Sequence, residues 1–430
     1  MAGSLSKVKQ LGRYPSLVAG LVVIAVLVGI ALYAVIAIPY PEAVRLWRGE
    51  PGVWDESPRN AHPIWWDWFT RDRLPRTIIV SSQDEGEVHV EPLDDARKLV
   101  EVALPFRYAY DAFPGELTLF TWVTGGDQRT PISVSWDAPA DGTIVLREDS
   151  VREYHRYFIS QDRDLRDRLG VVPHRGLFAD PQDAGSALEG VYLLMLKAEV
   201  PQDAEVEARL VVYGQVHGPF GTDHRRRDLT VALGWGAFEG LRFGVLAALV
   251  WQIGTVVPRA VSRRHKGRID PLFQRLTDVH MVLLALPILI VIGHLSPGIG
   301  VLGVLIVLSL LIAATRVLRA RFLPSTGAPY AGPARRSSTM MAAFLPSFVL
   351  VIPAFVFLGV ALALFFGFHN PVLPCWGSVL HDASTHHAAY MGHYYKLIQP
   401  VVLLLLTALG FGLVGYSLHR IYHPMAETAE

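Results

Sequence analysis

Histidines suited to metal coordination are concentrated near the C-terminus, where five of them and one aspartate lie between residues 369 and 393. Imidazole is a common ligand for nickel and zinc. The spacing places three of these side chains within reach of one another on one loop or helix face: His381, Asp382 and His386. Because this spacing matches no defined set of three or four ligands, we interpret the histidines as surface or interface residues and assign no metal site. The candidate ligands, should metal bind, are His381, His386 and His387.

Other residue types that support catalysis or redox chemistry are sparse. The single cysteine, Cys375, excludes an internal disulfide framework and a CxxC motif. We find no nucleophile–base constellation and no GxxxxGK[ST] phosphate loop, so any ATP must be hydrolysed by another chain. The 39 Lys and Arg residues balance 39 Asp and Glu, which gives no electrostatic argument for nucleic-acid binding. We therefore predict a chain that is not an enzyme and that carries no cofactor.

Uncharged apolar runs dominate the chain, which is 51% hydrophobic and only 18% charged. A helix needs roughly 20 apolar residues to cross a bilayer. The first run is too long for the core of a signal peptide, and Pro-Tyr-Pro follows it, which indicates a retained span. We predict six transmembrane helices, at about 17–38, 229–257, 279–296, 299–315, 341–368 and 397–416.

Basic residues indicate how these spans are oriented, because Lys and Arg accumulate in cytoplasmic loops. They cluster in residues 1–16, 259–268 and 316–346, whereas residues 369–395 contain none. This pattern predicts a multi-pass plasma-membrane protein with both termini in the cytoplasm. The predicted domains are 1–39 with the first span, an extracytoplasmic segment at 40–228, a membrane core at 229–424 and a cytoplasmic tail at 425–430.

Residues 77–216 carry short β-branched and aromatic runs separated by turn residues, which is the pattern of strands. About eight such runs at short spacing predict an antiparallel β-sandwich, interrupted by a helix at roughly 150–169. An aromatic cluster precedes the sandwich. The cluster consists of Trp65, Trp66, Trp68 and Phe69. These side chains either lie in the interfacial aromatic belt of a membrane or pack under the sandwich, and both interpretations stay open.

A polar signature stands immediately before the second predicted span. Gly221-Thr222-Asp223 is followed by Arg227-Asp228 and then by apolar residues, which resembles the GTDxxGRD signature of the dipeptide/oligopeptide/nickel ABC-importer permeases, specifically their C-type subunit. Further matches follow in the family's order, so the resemblance covers roughly 1–40 and 215–424. They include Asp278 and Pro287 at the third span, Arg316 and Arg319 after the fourth, and Trp376 and Gly377 after the fifth.

The chain also departs from this family pattern. Arg226 replaces the family's glycine, and the segment between the first two spans is much longer, so we interpret the β-sandwich as an insertion. The cytoplasmic loop that would contact the ATPase lacks the glutamate of the family's EAA motif. The residues that stand in its place, and that we assign as the coupling loop, are Tyr330, Ala331, Gly332, Pro333, Ala334, Arg335 and Arg336.

The resemblance implies an all-α membrane fold of the type I ABC-importer permease, and a role in translocating peptides or a related small solute. ATP and Mg would bind to partner subunits. The expected partners are a homologous second permease, two cytoplasmic ABC ATPases, an extracytoplasmic solute-binding protein and the lipid bilayer. Arg242 inside the second span is a candidate pathway residue, with snorkelling to the headgroups as the alternative. Two rival functions stay open: a degenerate permease-like anchor that displays a receptor or assembly domain, and a nickel permease.

Overall fold

The computed structural model describes residues 14–264 and 338–422, apart from short gaps at 71–72, 85, 126–128, 140–141, 182, 184, 367–371 and 373. The chain divides into two units. The β unit is Gly49–Thr230, and the helical unit joins the chain before Gly49 to the chain after Thr230. The predicted spans at 279–296 and 299–315 lie outside the described residues.

The helical unit consists of six described helices: α1 (Pro15–Ala37), α2 (Tyr40–Arg48), α3 (Leu229–Arg264), α4 (Ser338–Phe366), α5 (Trp376–Thr385) and α6 (Tyr395–Tyr422). In the described part of the chain, α1, α3, α4 and α6 are long and apolar enough to cross a membrane. They overlap four of the six predicted spans. Helix α3 continues to Arg264, beyond the predicted end at residue 257.

Helix ends follow local sequence. Pro15 occupies the first turn of α1, where its missing N–H costs nothing, and the helix stops at Ala37, two residues before Pro39. Helix α4 tolerates Pro346 and Pro353 inside its length, and α6 tolerates Pro400, as membrane helices commonly do.

The described residues of the β unit form nine strands: β1 (Ile78–Ser81), β2 (Glu87–Pro92), β3 (Arg97–Tyr108), β4 (Glu116–Thr124), β5 (Thr130–Asp137), β6 (Ile144–Val151), β7 (Tyr154–Tyr157), β8 (Gly190–Pro201) and β9 (Glu205–Tyr213). They form two antiparallel sheets, with strand orders β1-β9-β4-β7 and β2-β3-β8-β5-β6. All eight predicted strands are present. A single apolar core draws side chains from both sheets, which confirms the predicted sandwich.

The predicted helix at 150–169 is wrong over its first half. Residues 154–157 form β7, which pairs with β4 so that Tyr157 lies opposite Leu119. The helix itself is only Arg163–Leu169. It starts where the Asp162 carboxylate caps the backbone N–H of Leu165, and it ends at Gly170 with φ of 70°.

Aromatic side chains fill the centre of the sandwich. Trp136 on β5 is fully buried, and its ring lies 5.7 Å from Phe106 and 5.4 Å from Phe178, measured between centroids. Its indole N–H donates to the carbonyl of Leu177 at 3.3 Å. The buried polar group is therefore satisfied, and the ring supplies a large apolar area to the core.

Candidate functional site

The GTD signature forms a buried turn in the β unit. Gly221 has φ of 76°, a left-handed conformation that favours glycine. The hydroxyl of Thr222 donates to the carbonyl of Pro58 at 2.7 Å and accepts from the N–H of Ala61 at 2.9 Å. Thr222 thus ties the turn to residues 58–61.

An ion pair closes the turn. Nε of Arg227 donates to Asp223 at 2.6 Å, and both side chains are almost fully buried. The same carboxylate also accepts from the backbone N–H groups of Arg225 and Arg227, at 2.8 and 2.9 Å. A buried charge pair is tolerated only when its remaining hydrogen-bonding capacity is met. The family-motif positions Asp223 and Arg227 are thus structural partners.

Asp228 prepares the start of α3. Its carboxylate accepts from the N–H of Thr230 at 2.7 Å, which is the geometry of an N-cap. The Nε2 atom of His217 lies 3.9 Å from the same carboxyl group. Arg227 therefore completes the turn through its ion pair, and Asp228 caps the N-terminus of α3.

Arg226 occupies the position that is glycine in the signature it resembles, and its φ of 67° is a left-handed conformation that favours glycine. Its guanidinium donates to the carbonyl of Ser57 at 2.8 Å and pairs with Glu116 of β4. It also lies 4.2 Å from the ring centroid of Tyr213 on β9. Burial raises the pKa of Tyr213, while the nearby Arg226 charge opposes that rise. The arginine thus connects the signature turn to the sandwich.

In the helical unit, two sequence segments that are far apart meet at Trp376. This residue is 1% exposed, and its indole N–H donates to the carbonyl of Leu233 in α3 at 2.9 Å. Gly236 leaves space for the ring, since a Cβ there would overlap it. Gly377 lies against Val360 and Ala363 of α4 with no room for a side chain. The Trp-Gly motif therefore packs α5 between α3 and α4.

A charged pair lies inside α3. Arg242 donates to Glu239 at 2.6 Å, and the arginine side chain is 51% exposed whereas the glutamate is 19% exposed. Arg242 was predicted from the sequence as a candidate pathway residue, whereas Glu239 was missed. The i,i+3 spacing of opposite charges on one helix was the available signal.

The candidate metal ligands on α5 and after it engage the backbone. Nδ1 of His381 lies 2.8 Å from the carbonyl of Leu364, and Nδ1 of His386 lies 2.9 Å from that of Asp382. His387 is exposed and has φ of 51°. Metal binding by these histidines stays a prediction.

The remaining predicted site residues fall outside the described part of the chain. They are Asp278, Pro287, Arg316, Arg319 and the coupling-loop residues Tyr330 through Arg336.

Sequence reasoning also missed a groove of about 360 Å³ on the outer face of the four-stranded sheet. Trp122, Phe120 and Tyr154 line one side, and the groove is closed by residues 51–56. Its charges are matched, because Arg156 pairs with Asp55 and Arg209 pairs with Glu56. The available signal was the spacing of two residues between Phe120 and Trp122 on β4 and between Tyr154 and Arg156 on β7, which places each pair on one face of the sheet.

Comparison with known proteins places these motifs in context. No family model matches the chain. The chain is 27% identical over 223 residues to the dipeptide transport system permease protein DppC of Bacillus subtilis (strain 168), covering 48% of this chain and 68% of the relative. It is 23% identical over 246 residues to the oligopeptide transport system permease protein OppC of Lactococcus lactis subsp. cremoris (strain SK11), covering 54% of this chain and 83% of the relative.

Both relatives are transport-system permeases, and the similarity extends over about half of this chain. The four apolar helices agree with a membrane location. Homology and helix composition together support a transmembrane permease of the ABC-transporter type that carries an additional β-sheet region.

Proposed function

We propose that this chain is one permease subunit of a heteromeric ABC importer that translocates peptides or a related small solute across the plasma membrane. It would act with a homologous second permease, two cytoplasmic ATPases that bind ATP and Mg, and an extracytoplasmic solute-binding protein. The chain itself holds no cofactor in this proposal. Both termini face the cytoplasm, and the β unit lies outside the cell.

The contact between Trp376 and Gly236 carries this proposal. Both residues belong to segments that resemble the permease family, and the fold brings them together through the Leu233 carbonyl and the space above Gly236. The contact supports the proposal because it joins two segments that resemble the same family in one packed helical unit.

Two further features belong to the proposed transport cycle. The Arg242–Glu239 pair on α3 is neutral overall, so it lowers the cost of charges in a span, and we assign it to the translocation pathway. The basic segment Tyr330–Arg336 is assigned to the ATPase contact, where nucleotide-driven closure would be transmitted as rigid-body movement.

The deciding experiment is affinity purification of the intact complex from the native membrane with a tag on the full-length chain. We expect the second permease and the ATPase subunits to copurify. The charge-reversed variant R335E/R336E should lose the ATPase while keeping the second permease. Arg107→Glu, an exposed position on β3, is the matched control and should keep both partners.

Uptake of a labelled dipeptide by cells with and without this chain then tests the direction and substrate class. Purification of the wild-type chain without any ATPase would overturn the proposal and favour the degenerate-anchor alternative. Recovery of the ATPase without dipeptide uptake would keep the importer and reject the dipeptide as its substrate.

A further inference from the structure

An aromatic turn at Ile64–Phe69 presents its largest side chains outward. Trp68 is 83% exposed and Phe69 is 75% exposed. Ile64 at the start of the same turn is 38% exposed. Apolar surface of this size is costly in water, and a contiguous exposed patch commonly marks an interaction site.

The turn is held in place by its other aromatic residues. Trp66 stacks on His62 with ring centroids 4.8 Å apart, and Trp65 contacts the Phe69 ring edge-on at 6.3 Å. The indole N–H of Trp65 donates to the carbonyl of Pro219 at 2.8 Å, and the N–H of Ile64 donates to that of Gly218 at 3.0 Å. The inner half of the cluster packs in the β unit, and the outer half is presented on a fixed base.

The flanking sequence identifies the surface that this patch fits. Arg73 and Arg76 follow the aromatic residues within seven positions of Phe69, and both are exposed. Tryptophan and arginine are favoured together where apolar lipid meets anionic headgroups, since the rings enter the interface while the cations contact phosphates.

The aromatic turn is linked to the apolar helices by short stretches of chain. Gly218 and Pro219, which hold the turn, precede the apolar helix α3 at Leu229 by about ten residues along the chain. The β unit also begins shortly after α1, so both of its ends continue into apolar helices. A tether of this length gives the turn a high effective concentration at the bilayer.

We propose that Trp68 and Phe69 insert into the interfacial region of a phospholipid bilayer, with the arginines that follow them contacting anionic headgroups. The turn then acts as a second, peripheral membrane attachment of the β unit, in addition to the helices. The partner is the lipid surface itself. This inference uses the membrane location of the chain and does not depend on what the chain transports.

The test uses fluorescence quenching on the full chain, reconstituted alone into nanodiscs of phosphatidylcholine and phosphatidylglycerol. Cys375→Ser removes the single cysteine and leaves a residue type that caps a helix well. In that background, a cysteine replaces Trp68 (W68C) and carries an environment-sensitive dye. We expect strong quenching by lipids with a nitroxide near the headgroup and weak quenching by iodide in water.

The matched control is Y154C in the same background, since Tyr154 is 48% exposed on β7 of the same unit. Dye at this position should show the opposite pattern, with iodide as the stronger quencher. The ratio of lipid to iodide quenching should differ severalfold between the two positions. Equal ratios at positions 68 and 154 would overturn the proposal.

A second variant keeps the test independent of labelling. W68S/F69S removes both exposed rings, and it leaves the packed Trp65 and Trp66 in place. In nanodiscs, protection from hydrogen exchange in the Ile64–Leu74 segment should fall in this variant and should match the wild type in lipid-free detergent. Unchanged protection in nanodiscs would contradict insertion.

Discussion

The two units of this protein differ in the contacts that dominate their packing. In the β unit, large side chains such as Trp136, Phe178 and Tyr192 fill the space between sheets. In the helical unit, close contacts form at glycines, where added side chains would collide with a neighbouring helix. These positions are Gly20, Gly234, Gly236, Gly244, Gly359, Gly377 and Gly415.

The difference follows from the surrounding solvent. In water, large apolar side chains stabilise a fold because burial removes their surface from water. Between membrane helices that force is absent, since lipid is as apolar as leucine, and association depends on close backbone contact and a few hydrogen bonds. The Trp376–Gly236 contact is an example, because it combines a ring in a glycine notch with an indole-to-carbonyl hydrogen bond.

The largest expected effect is in the β unit. Trp136→Ala should lower the free energy of opening of this unit by about 4 kcal/mol, because it removes a fully buried ring and leaves a cavity. Hydrogen exchange of the β3 and β8 backbone measures this opening. Trp68→Ala is the control, and its 83% exposure predicts little change. Equal losses for the two variants would contradict a core organised around Trp136.

The signature turn should be nearly as sensitive. Asp223→Asn removes the buried carboxylate charge that faces the buried Arg227, which should cost about 3 kcal/mol. The exposed pair of Lys197 with Glu101 on β8 and β3 is the comparison, where Glu101→Gln should cost about 0.5 kcal/mol. Denaturant midpoints of the two variants separate the cases, and a small loss for Asp223→Asn would show that the turn is dispensable.

The helical unit should respond to added volume. Gly236→Ala places a methyl group where the Trp376 ring lies, and the expected loss is about 2 kcal/mol. Gly412→Ala on α6 is the matched control, because nothing lies within 4 Å of its added Cβ. Thermal unfolding of the detergent-solubilised chain measures both. If Gly412→Ala lowered the stability more than Gly236→Ala, close packing at glycines would not explain the stability of this unit.

Periodic features were predictable from sequence, and tertiary contacts were not. The alternation in β3 and β8 and the uniform apolarity of α1 and α6 predict their elements. Strand β7 was missed because Tyr-His-Arg-Tyr is short, and it lies beside the charged residues that begin the next helix.

Of the candidate site, the sequence revealed the motif positions through the family resemblance but not their roles. The burial of Asp223 with Arg227 and the meeting of Trp376 with Gly236 depend on how distant segments pack. The departure at Arg226 was visible in the sequence. The contacts of Arg226 with Glu116 and Tyr213, which compensate for the unfavourable backbone, were visible only in the structure.

Arg226 offers a smaller and more selective test. Arg226→Ala loses the contacts with Glu116 and Tyr213 and keeps a left-handed backbone that disfavours alanine. Arg226→Gly loses the same contacts but relieves that backbone. The glycine variant should therefore be more stable than the alanine variant by about 1 kcal/mol. Chemical denaturation compares them, and equal stabilities would mean that the turn relaxes to another backbone conformation.

The smallest expected effect is a pH dependence confined to the β unit. Burial lowers the pKa of His155 on β7 and of His174 below the ordinary value of 6.5. Their Nδ1 atoms are buried and lack a hydrogen-bond partner among the described residues. The unfolded chain therefore binds protons at a higher pH than the folded one. The stabilisation is complete above pH 6.5 and is lost as the pH falls through the folded pKa values.

The β unit should accordingly unfold at lower urea concentration at about pH 5.5 than at about pH 7.5, since histidine titrates between them. His155→Gln with His174→Gln should flatten this dependence. His89→Gln on β2 is the exposed control and should leave it unchanged, because that side chain is 70% exposed. A dependence that persists between these two pH values in the double variant would contradict the assignment to His155 and His174. Carboxyl groups such as Asp149 and Asp162, whose pKa values are lowered, act in a different pH range. For these groups too, stability is lost as the pH falls, but at more acidic pH.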